Sequence, residues 1–248
     1  MILGLTEVQI GVAVTAALGA AFVRGLAGFG MAILLVPVLA LAVPPAEAVV
    51  VSNWLGLLIG VVGLRKIIGA SEKSALIIAA LAIAATPLGV WLLSLTDPAF
   101  ARLLIALIAL AAFGLVLLPK KPAHYAPGAI ETGATGFAAG TLTGFAGMPG
   151  LPVVPFYLRR EIAPELARAS MMTIFLATSL SGVGSALVLG VATWREPLLA
   201  AVLFPAVLLG NWLGQLAFGK VSDAAWRTFT GAVLGLSALA ALWKLLQA

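Results

Sequence analysis

A single arginine stands directly before a glycine-rich stretch in an otherwise apolar part of the chain. The segment RGLAGFGMAILLVP runs from Arg24 to Pro37 and contains Gly25, Gly28 and Gly30. A guanidinium offers a planar fork of hydrogen-bond donors that matches the oxygens of a carboxylate, sulfite or sulfonate. A charge at membrane depth is costly and commonly marks a binding site or a transport pathway. These residues therefore predict a site for a small anion.

Two further interpretations of Arg24 stay open at this point. A membrane arginine can extend along its helix and place the charge at the cytoplasmic interface, and it can also form a structural ion pair. The neighbouring glycines have a second use as well, because small residues at this spacing let two helices pack closely. That packing role is compatible with anion binding.

The composition indicates that these residues lie in a membrane. The chain has 248 residues, of which 62% are hydrophobic and 9% are charged, with a mean hydropathy of +1.17. Soluble domains carry about 25% charged residues. Most of the apolar stretches have the roughly 17–25 residues that a helix needs to cross a bilayer. We predict an all-α, polytopic membrane protein from the stretches at 8–23, 48–64, 75–95, 103–118, 171–191, 198–218 and 230–246.

The residue types that other functions need are absent or isolated. The chain has no cysteine, and its one histidine, His124, stands in a basic loop, so we expect no metal and no cofactor. The sequence shows neither a GxxxxGK[ST] nucleotide motif nor a serine–histidine arrangement, which argues against an enzyme. The net charge of +5 comes from cations at the ends of apolar segments, so nucleic acid is not an expected partner. The first apolar run lacks a preceding basic region, and we interpret it as a retained segment.

The glycine motif occurs twice. The segment GLAGFGMAILLVP is matched by GFAGMPGLPVVP, which pairs Gly25 with Gly144 and Gly28 with Gly147. Three weaker matches follow in the same order: AEAVVVS with PELARAS, LGVWL with LGNWL, and TDPAFAR with SDAAWR. A repeat of this length indicates two duplicated halves. We place them at 1–122 and 123–248, with the polar segment PKKPAHYAPG as the seam.

Each half is predicted to hold a pair of shorter segments joined at the glycine motif, followed by three long helices. The predicted segments are 6–23, 30–43, 46–64, 73–94 and 99–118 in the first half, and 128–143, 148–158, 165–190, 196–218 and 224–246 in the second. The pair of shorter segments returns to the side of the membrane on which it starts, and three helices then cross. Each half therefore ends on the opposite side from its start, so the second half is inverted relative to the first. Inverted repeats are typical of secondary transporters.

The loop charges predict an orientation in the inner (plasma) membrane with both termini outside. Positive charges concentrate on the cytoplasmic side of membrane proteins. Ten cations fall on one side, namely Arg65, Lys66, Lys73, Lys120, Lys121, Arg159, Arg160, Arg168, Lys220 and Arg227. Three fall on the other side, namely Arg102, Arg195 and Lys244.

The glycine motifs predict helix ends in the middle of the membrane. A helix that starts there directs unpaired N–H groups and a positive dipole end at a cavity. Two such ends from inverted halves would meet near the midplane, where discontinuous-helix transporters hold their substrates. The predicted binding residues are Arg24, Gly25, Gly28, Phe29, Gly30, Asn53, Thr143, Gly144, Gly147, Met148, Gly150, Asn211 and Gln215. For Asn53, Asn211 and Gln215, hydrogen bonding between helices is the open alternative.

Five acidic residues start predicted helices. Glu131 is a candidate for proton coupling, with a boundary position in the first helical turn as the alternative. Glu47 and Glu165 are expected to interact with helix N-termini. Asp97 and Asp223 are expected to be N-caps of the last helix of each half.

The two motifs and the duplication resemble the sulfite exporter TauE/SafE family of membrane permeases. The segment GLAGFGMAILLVPVLAL is similar to the first motif of that family, and GFAGMPGLPVVPFYL to the second. The resemblance covers essentially the whole chain and implies transport of sulfite, sulfoacetate or related organosulfonates, or of other small organic acids. It also implicates the glycines Gly25, Gly28, Gly30, Gly144, Gly147 and Gly150. The segment 148–152 departs from the family's usual glycine–proline run, and Arg24 stands where many members have a small or apolar residue.

The sequence thus predicts a secondary transporter that exports small sulfur-containing anions by alternating access. An anion channel, or a carrier of other small organic acids, is the alternative, because the same helix ends would serve a channel. The expected partners are the small anion, the lipid bilayer and a coupled proton or ion, and a homo-oligomer is compatible with the sequence.

Overall fold

The protein is all-α in the computed structural model, which describes residues 4–67, 71–117, 126–217 and 223–247. His124 and most of the predicted seam lie outside the described residues. The described part contains ten helices and no strand. Their bounds are α1 Glu7–Ala27, α2 Met31–Ala42, α3 Pro45–Ile67, α4 Lys73–Leu95, α5 Pro98–Leu117, α6 Ala129–Ala146, α7 Gly150–Leu158, α8 Pro164–Val188, α9 Arg195–Ala217 and α10 Asp223–Leu246.

Six of these helices are long and apolar enough to cross a membrane, which confirms the predicted fold class. They are α1, α3, α4, α5, α8 and α9. Helix α2 and the described part of α10 are shorter apolar helices. The inverted relation between the two halves stays a prediction.

Both predicted chain breaks lie at the glycine motifs. Helix α1 ends at Gly28, whose φ of 83° is left-handed and whose N–H donates to the Arg24 carbonyl at 2.7 Å. Helix α2 begins after Gly30, where φ is 96°. Helix α6 ends at Gly147 with a φ of 69°. Glycine adopts these angles without the steric cost that a Cβ atom imposes, so the sequence ends the helices here.

Gly25 lies where α1 and α9 cross at backbone contact. A methyl group at Gly25 would overlap the carbonyl oxygen of Asn211 and would lie 2.8 Å from the Cα of Gly214. A methyl group at Gly214 would in turn overlap the carbonyl oxygen of Phe22. The glycines therefore perform the close-packing role that the sequence left open.

Helices α4 and α6 cross in the same way. Gly144 lies against the backbone of Thr86, and Gly89 lies against the backbone of Thr141. The partner of Gly144 is thus Gly89, whereas the partner of Gly25 is Gly214. The sequence match between LGVWL and LGNWL instead aligns Gly89 with Gly210, which is one helical turn earlier.

The short helix α2 is held at its C-terminal end by side chains from three other helices. The last carbonyls of a helix have no partner within it. Two of the donors are cations, which also interact favourably with the negative end of the helix dipole. Arg102 Nε donates to the Ala40 carbonyl (2.6 Å), Lys244 Nζ to Leu41 (2.6 Å) and Gln9 Nε2 to Ala42 (2.8 Å).

The acidic residues lie at helix starts, as predicted. Asp97 Oδ1 accepts from the N–H groups of Ala99 (2.8 Å) and Phe100 (3.1 Å) and so caps α5. Glu47 and Glu165 lie in the first turns of α3 and α8. Asp223 is the first residue of α10, and its side chain lies outside the described part.

Candidate anion-binding site

The two chain breaks meet at a small cavity of about 80 Å³. The first residues of α2 and α7 both line it, so two helix N-termini face the same space. Neither of these helices has a side chain that caps its free N–H groups. Uncapped N–H groups together with the positive dipole ends favour an anion. The lining includes seven predicted site residues, namely Arg24, Phe29, Gly30, Asn53, Gly147, Met148 and Gly150.

Asn53 adds a buried donor to the wall of this cavity. The residue is 3% exposed, and its Nδ2 has no hydrogen-bond partner within the described part of the protein. Its amide packs against Gly182 of α8, where a methyl group would lie 2.5 Å from Nδ2. A buried donor without an acceptor costs about 1–3 kcal/mol. An acceptor atom bound in the cavity would remove that cost.

A larger cavity of about 520 Å³ adjoins the small one. It lies between α1, α3, α8 and α9 and reaches the surface where Val62, Glu165 and Arg168 are exposed. The predicted site residues that line this cavity are Arg24, Gly25, Gly28, Asn211 and Gln215. The predicted residues are thus divided between two adjacent spaces.

Arg24 lies between the two cavities, and it lines both of them together with Ile59 and Met172. Its Nη1 donates to Oδ1 of Asn211 at 2.9 Å. That partner is a neutral amide, so the bond orients the guanidinium without neutralising its charge. Asn211 therefore holds the cation at the boundary between the cavities.

Three predicted residues line neither cavity. The Thr143 hydroxyl, which the sequence repeat pairs with Arg24, donates to the Ala139 carbonyl at 2.7 Å and is buried. Gly144 packs against α4. Glu131 lies in the first turn of α6 and is exposed. These three residues therefore lie outside both cavities, although the Thr143 carbonyl accepts a hydrogen bond of 2.9 Å from the N–H of Gly147.

Sequence reasoning missed Arg168, Ile59 and Met172. Arg168 falls within the predicted segment 165–190 and lies one turn inside α8, but the sequence assigned it no role beyond that of a cation on the cytoplasmic side. The available signal was the segment PELARAS, because its match with AEAVVVS identifies a helix start. Ile59 and Met172 had no signal, since single apolar residues are common in every helix of this chain.

The predicted repeat pairs the crossing of α1 and α9, beside the large cavity, with the crossing of α4 and α6. The second crossing region is packed rather than open. In that region Thr86 is 0% exposed and Val90 is 2% exposed. Val50, Val90 and Ala186 form an apolar cluster there, against which Trp54 packs. The crossing of α1 and α9 thus borders an open cavity, whereas the crossing of α4 and α6 borders a closed core.

An ion pair beside α4 links the two predicted halves. Glu72 accepts two hydrogen bonds from the guanidinium of Arg160, the second from Nη2 to Oε1 at 2.5 Å. These bonds hold the pKa of the Glu72 carboxyl below its usual value. The Glu72 N–H also donates to Ser170 Oγ at 3.0 Å, and Ser74 is hydrogen-bonded to Tyr157. This network joins α4, α7 and α8.

A second ion pair, at the N-terminal end of α3, also links the two predicted halves. Glu47 Oε1 lies 3.0 Å from Nε of Arg195, which begins α9. The two atoms are close, but neither has a hydrogen bond of good geometry. Glu47 is 7% exposed. The contact therefore joins a buried carboxylate to a partly exposed guanidinium, without the directional bond that the pair at Glu72 has.

A metal centre has no basis in the described residues, because no group of histidine, cysteine or acidic side chains is arranged to hold an ion.

Comparison with known proteins identifies a family for the chain. The family model described as "Sulfite exporter TauE/SafE" matches residues 13–241. No curated protein and no solved structure matches the chain.

Proposed function

Because the chain belongs to the sulfite exporter TauE/SafE family, we propose that it is a secondary transporter that exports small sulfur-containing anions such as sulfite or organosulfonates. The proposal is one of transport and not of catalysis. It agrees with the six apolar helices, which make the chain a multi-pass membrane protein.

The observation that carries the proposal is the meeting of both chain breaks at one cavity. The small cavity receives the uncapped N-termini of α2 and α7 and the buried amide of Asn53, and Arg24 lies at its boundary. These groups are donors or positive charges, so an oxyanion would find several of them at once. A cavity of about 80 Å³ suits a compact head group such as sulfite.

The difference between the two crossing regions supports alternating access. In our proposal the halves 1–122 and 123–248 are inverted copies, and the transporter has its Arg24 side open and its Thr143 side closed. A second state would open the cluster of Val50, Val90 and Ala186 and close the large cavity. With both termini outside, the large cavity opens on the cytoplasmic side of the plasma membrane, from which an exporter takes up its substrate.

The test is flux in proteoliposomes with sulfite, sulfoacetate, taurine and acetate as candidate substrates. We expect saturable transport of a sulfur anion that can run against its own gradient when a coupling ion is supplied. Replacing Arg24→Gln should abolish most of this flux, whereas Arg159→Gln, an exposed cation outside both cavities, should retain it.

Three outcomes would contradict parts of the proposal. Absence of flux for every sulfur anion would show that the substrate class is wrong. Non-saturable flux that only follows the gradient would favour an anion channel. Flux of acetate alone would favour a carrier of small organic acids.

The coupling ion is part of the same proposal. Glu131 remains the candidate for proton coupling that we put forward from the sequence, although it is exposed and lines neither cavity. A Glu131→Gln variant should lose the dependence of flux on a pH gradient if that assignment is correct. Unchanged dependence would remove Glu131 from the mechanism and leave the carrier intact.

A further inference from the structure

The large cavity contains two like charges. Arg24 and Arg168 both line it, and Glu165 is the third charged residue in its wall. The sum of these three formal charges is +1. Like charges that share a cavity repel each other, and a bound anion relieves that repulsion. Clefts of one charge sign also raise the local concentration of ions of the opposite sign.

The guanidinium of Arg168 lies against the chain break of the first half. A methyl group at Gly28 would lie 3.2 Å from Arg168 Nε and 3.4 Å from Cζ. Two features therefore favour glycine at position 28, namely the left-handed φ of 83° and the nearness of the Arg168 side chain. The absence of a side chain leaves room for the Arg168 guanidinium beside the end of α1.

The two arginines differ in depth. Arg168 is exposed and belongs only to the large cavity, whereas Arg24 is partly buried and lines both cavities. The order from the surface inward is therefore Arg168, then Arg24, then the helix N-termini around the small cavity.

We propose that Arg168 forms a separate binding station for a small monovalent oxyanion in the large cavity, from which the anion passes to Arg24 and then to the small cavity. The net charge of +1 in the wall matches a single negative charge. The inference rests on the proposed function for the identity of the anion, but the station itself requires only an oxyanion. Its position beside Gly28 makes Arg168 the first contact, whereas Arg24 leads on to the final site in the small cavity.

The first experiment measures the potential in the cavity without relying on transport. The chain has no cysteine, so Val62→Cys introduces a single reactive thiol into the cavity wall. Its labelling rate is measured with 2-sulfonatoethyl methanethiosulfonate, which is anionic, and with the trimethylammonio analogue, which is cationic. Adding Arg168→Gln should slow the anionic reagent by about fourfold and accelerate the cationic one similarly, as expected for a unit charge at roughly 5 Å in water.

Two controls accompany this measurement. Arg159→Gln in the same background removes a charge outside the cavity and should leave both rates unchanged. Arg168→Lys keeps the charge and should preserve the ratio of the rates. High salt should diminish the effect of Arg168→Gln, since exposed charges are screened. Equal rates with and without Arg168→Gln, or an equal change with Arg159→Gln, would overturn the station.

The second experiment measures sulfite flux. Arg168→Gln should raise the half-saturating sulfite concentration by about fourfold, on the same electrostatic basis, with the maximal rate unchanged. An unchanged half-saturating concentration would overturn the inference while the carrier stands. A charge effect on labelling in a protein that carries no sulfite would support the station and show that the proposed substrate is wrong.

Discussion

Replacing Gly25 by alanine should force α1 and α9 apart at the point where Arg24 is oriented. The added methyl group would lie 2.8 Å from Gly214 Cα and 2.9 Å from Gln215 N, and these are backbone atoms that cannot rotate away. Carbon atoms attract at about 3.5–4.0 Å, so the helices must separate by about 0.7 Å. Overpacking of this kind costs about 1–3 kcal/mol.

The same separation should disturb the site. The hydrogen bond from Arg24 to Asn211 is 2.9 Å long. Adding about 0.7 Å gives about 3.6 Å, which is too long for a hydrogen bond. Gly25→Ala should therefore weaken sulfite transport as well as lower stability, because the guanidinium loses the partner that holds it between the cavities.

A matched control separates packing from helix propensity. Gly11 lies in the same helix, and a methyl group there meets nothing within 4 Å. Alanine is favoured over glycine in a helix by about 0.5–1 kcal/mol, and both variants gain this term. The assay is thermal unfolding in detergent, where each kcal/mol shifts the midpoint by roughly 2–4 °C. If Gly25→Ala unfolds at the same temperature as Gly11→Ala, the reasoning about the crossing is refuted.

Three other predictions concern the chain break, the ion pair and the buried amide. Gly28→Ala should destabilise the fold by more than Gly30→Ala, since both have left-handed φ but only Gly28 lies against Arg168; thermal midpoints compare them. Folding lowers the pKa of Glu72, so the ionised carboxylate stabilises the fold fully at pH values above the pKa of the unfolded chain, and this stabilisation is lost as the pH falls through the pKa of the folded state. The free energy of unfolding should therefore fall less between pH 7 and pH 3 in Glu72→Gln than in the unchanged protein, by at most about 1 kcal/mol. Asn53→Leu should abolish sulfite binding without destabilising the protein, because it removes a donor that has no partner.

The chain breaks could be predicted from the sequence because they depend on local chemistry. Gly28, Gly30 and Gly147 stand where the backbone needs a left-handed angle, so the glycine motifs locate the breaks. The predicted ends at 23 and 143 are each too early, since α1 runs to Ala27 and α6 to Ala146. The N-cap role of Asp97 is equally local, since its carboxylate reaches N–H groups two and three residues later. These features require no knowledge of the partner helix.

The parts that depend on contacts between helices were not predictable. Thr143 matches Arg24 in the repeat, but Thr143 is buried near the packed crossing of α4 and α6, whereas Arg24 lines the open large cavity. Gly210 and Gly214 are one turn apart on the same face, so the sequence could not show which of them meets Gly25. Arg168 falls within the predicted segment 165–190, but only the arrangement of the helices in space places it in the large cavity.

The three cations that the sequence assigns to the outer face are all engaged by the protein itself. Arg102 and Lys244 donate to carbonyls at the end of α2, and Arg195 pairs with Glu47. Glu47 offsets the charge of Arg195, whereas Arg102 and Lys244 keep their charges, because a backbone carbonyl carries no net charge. In the predicted orientation these two cations anchor the C-terminal end of α2 at the outer face, while the opposite end of this helix lines the small cavity.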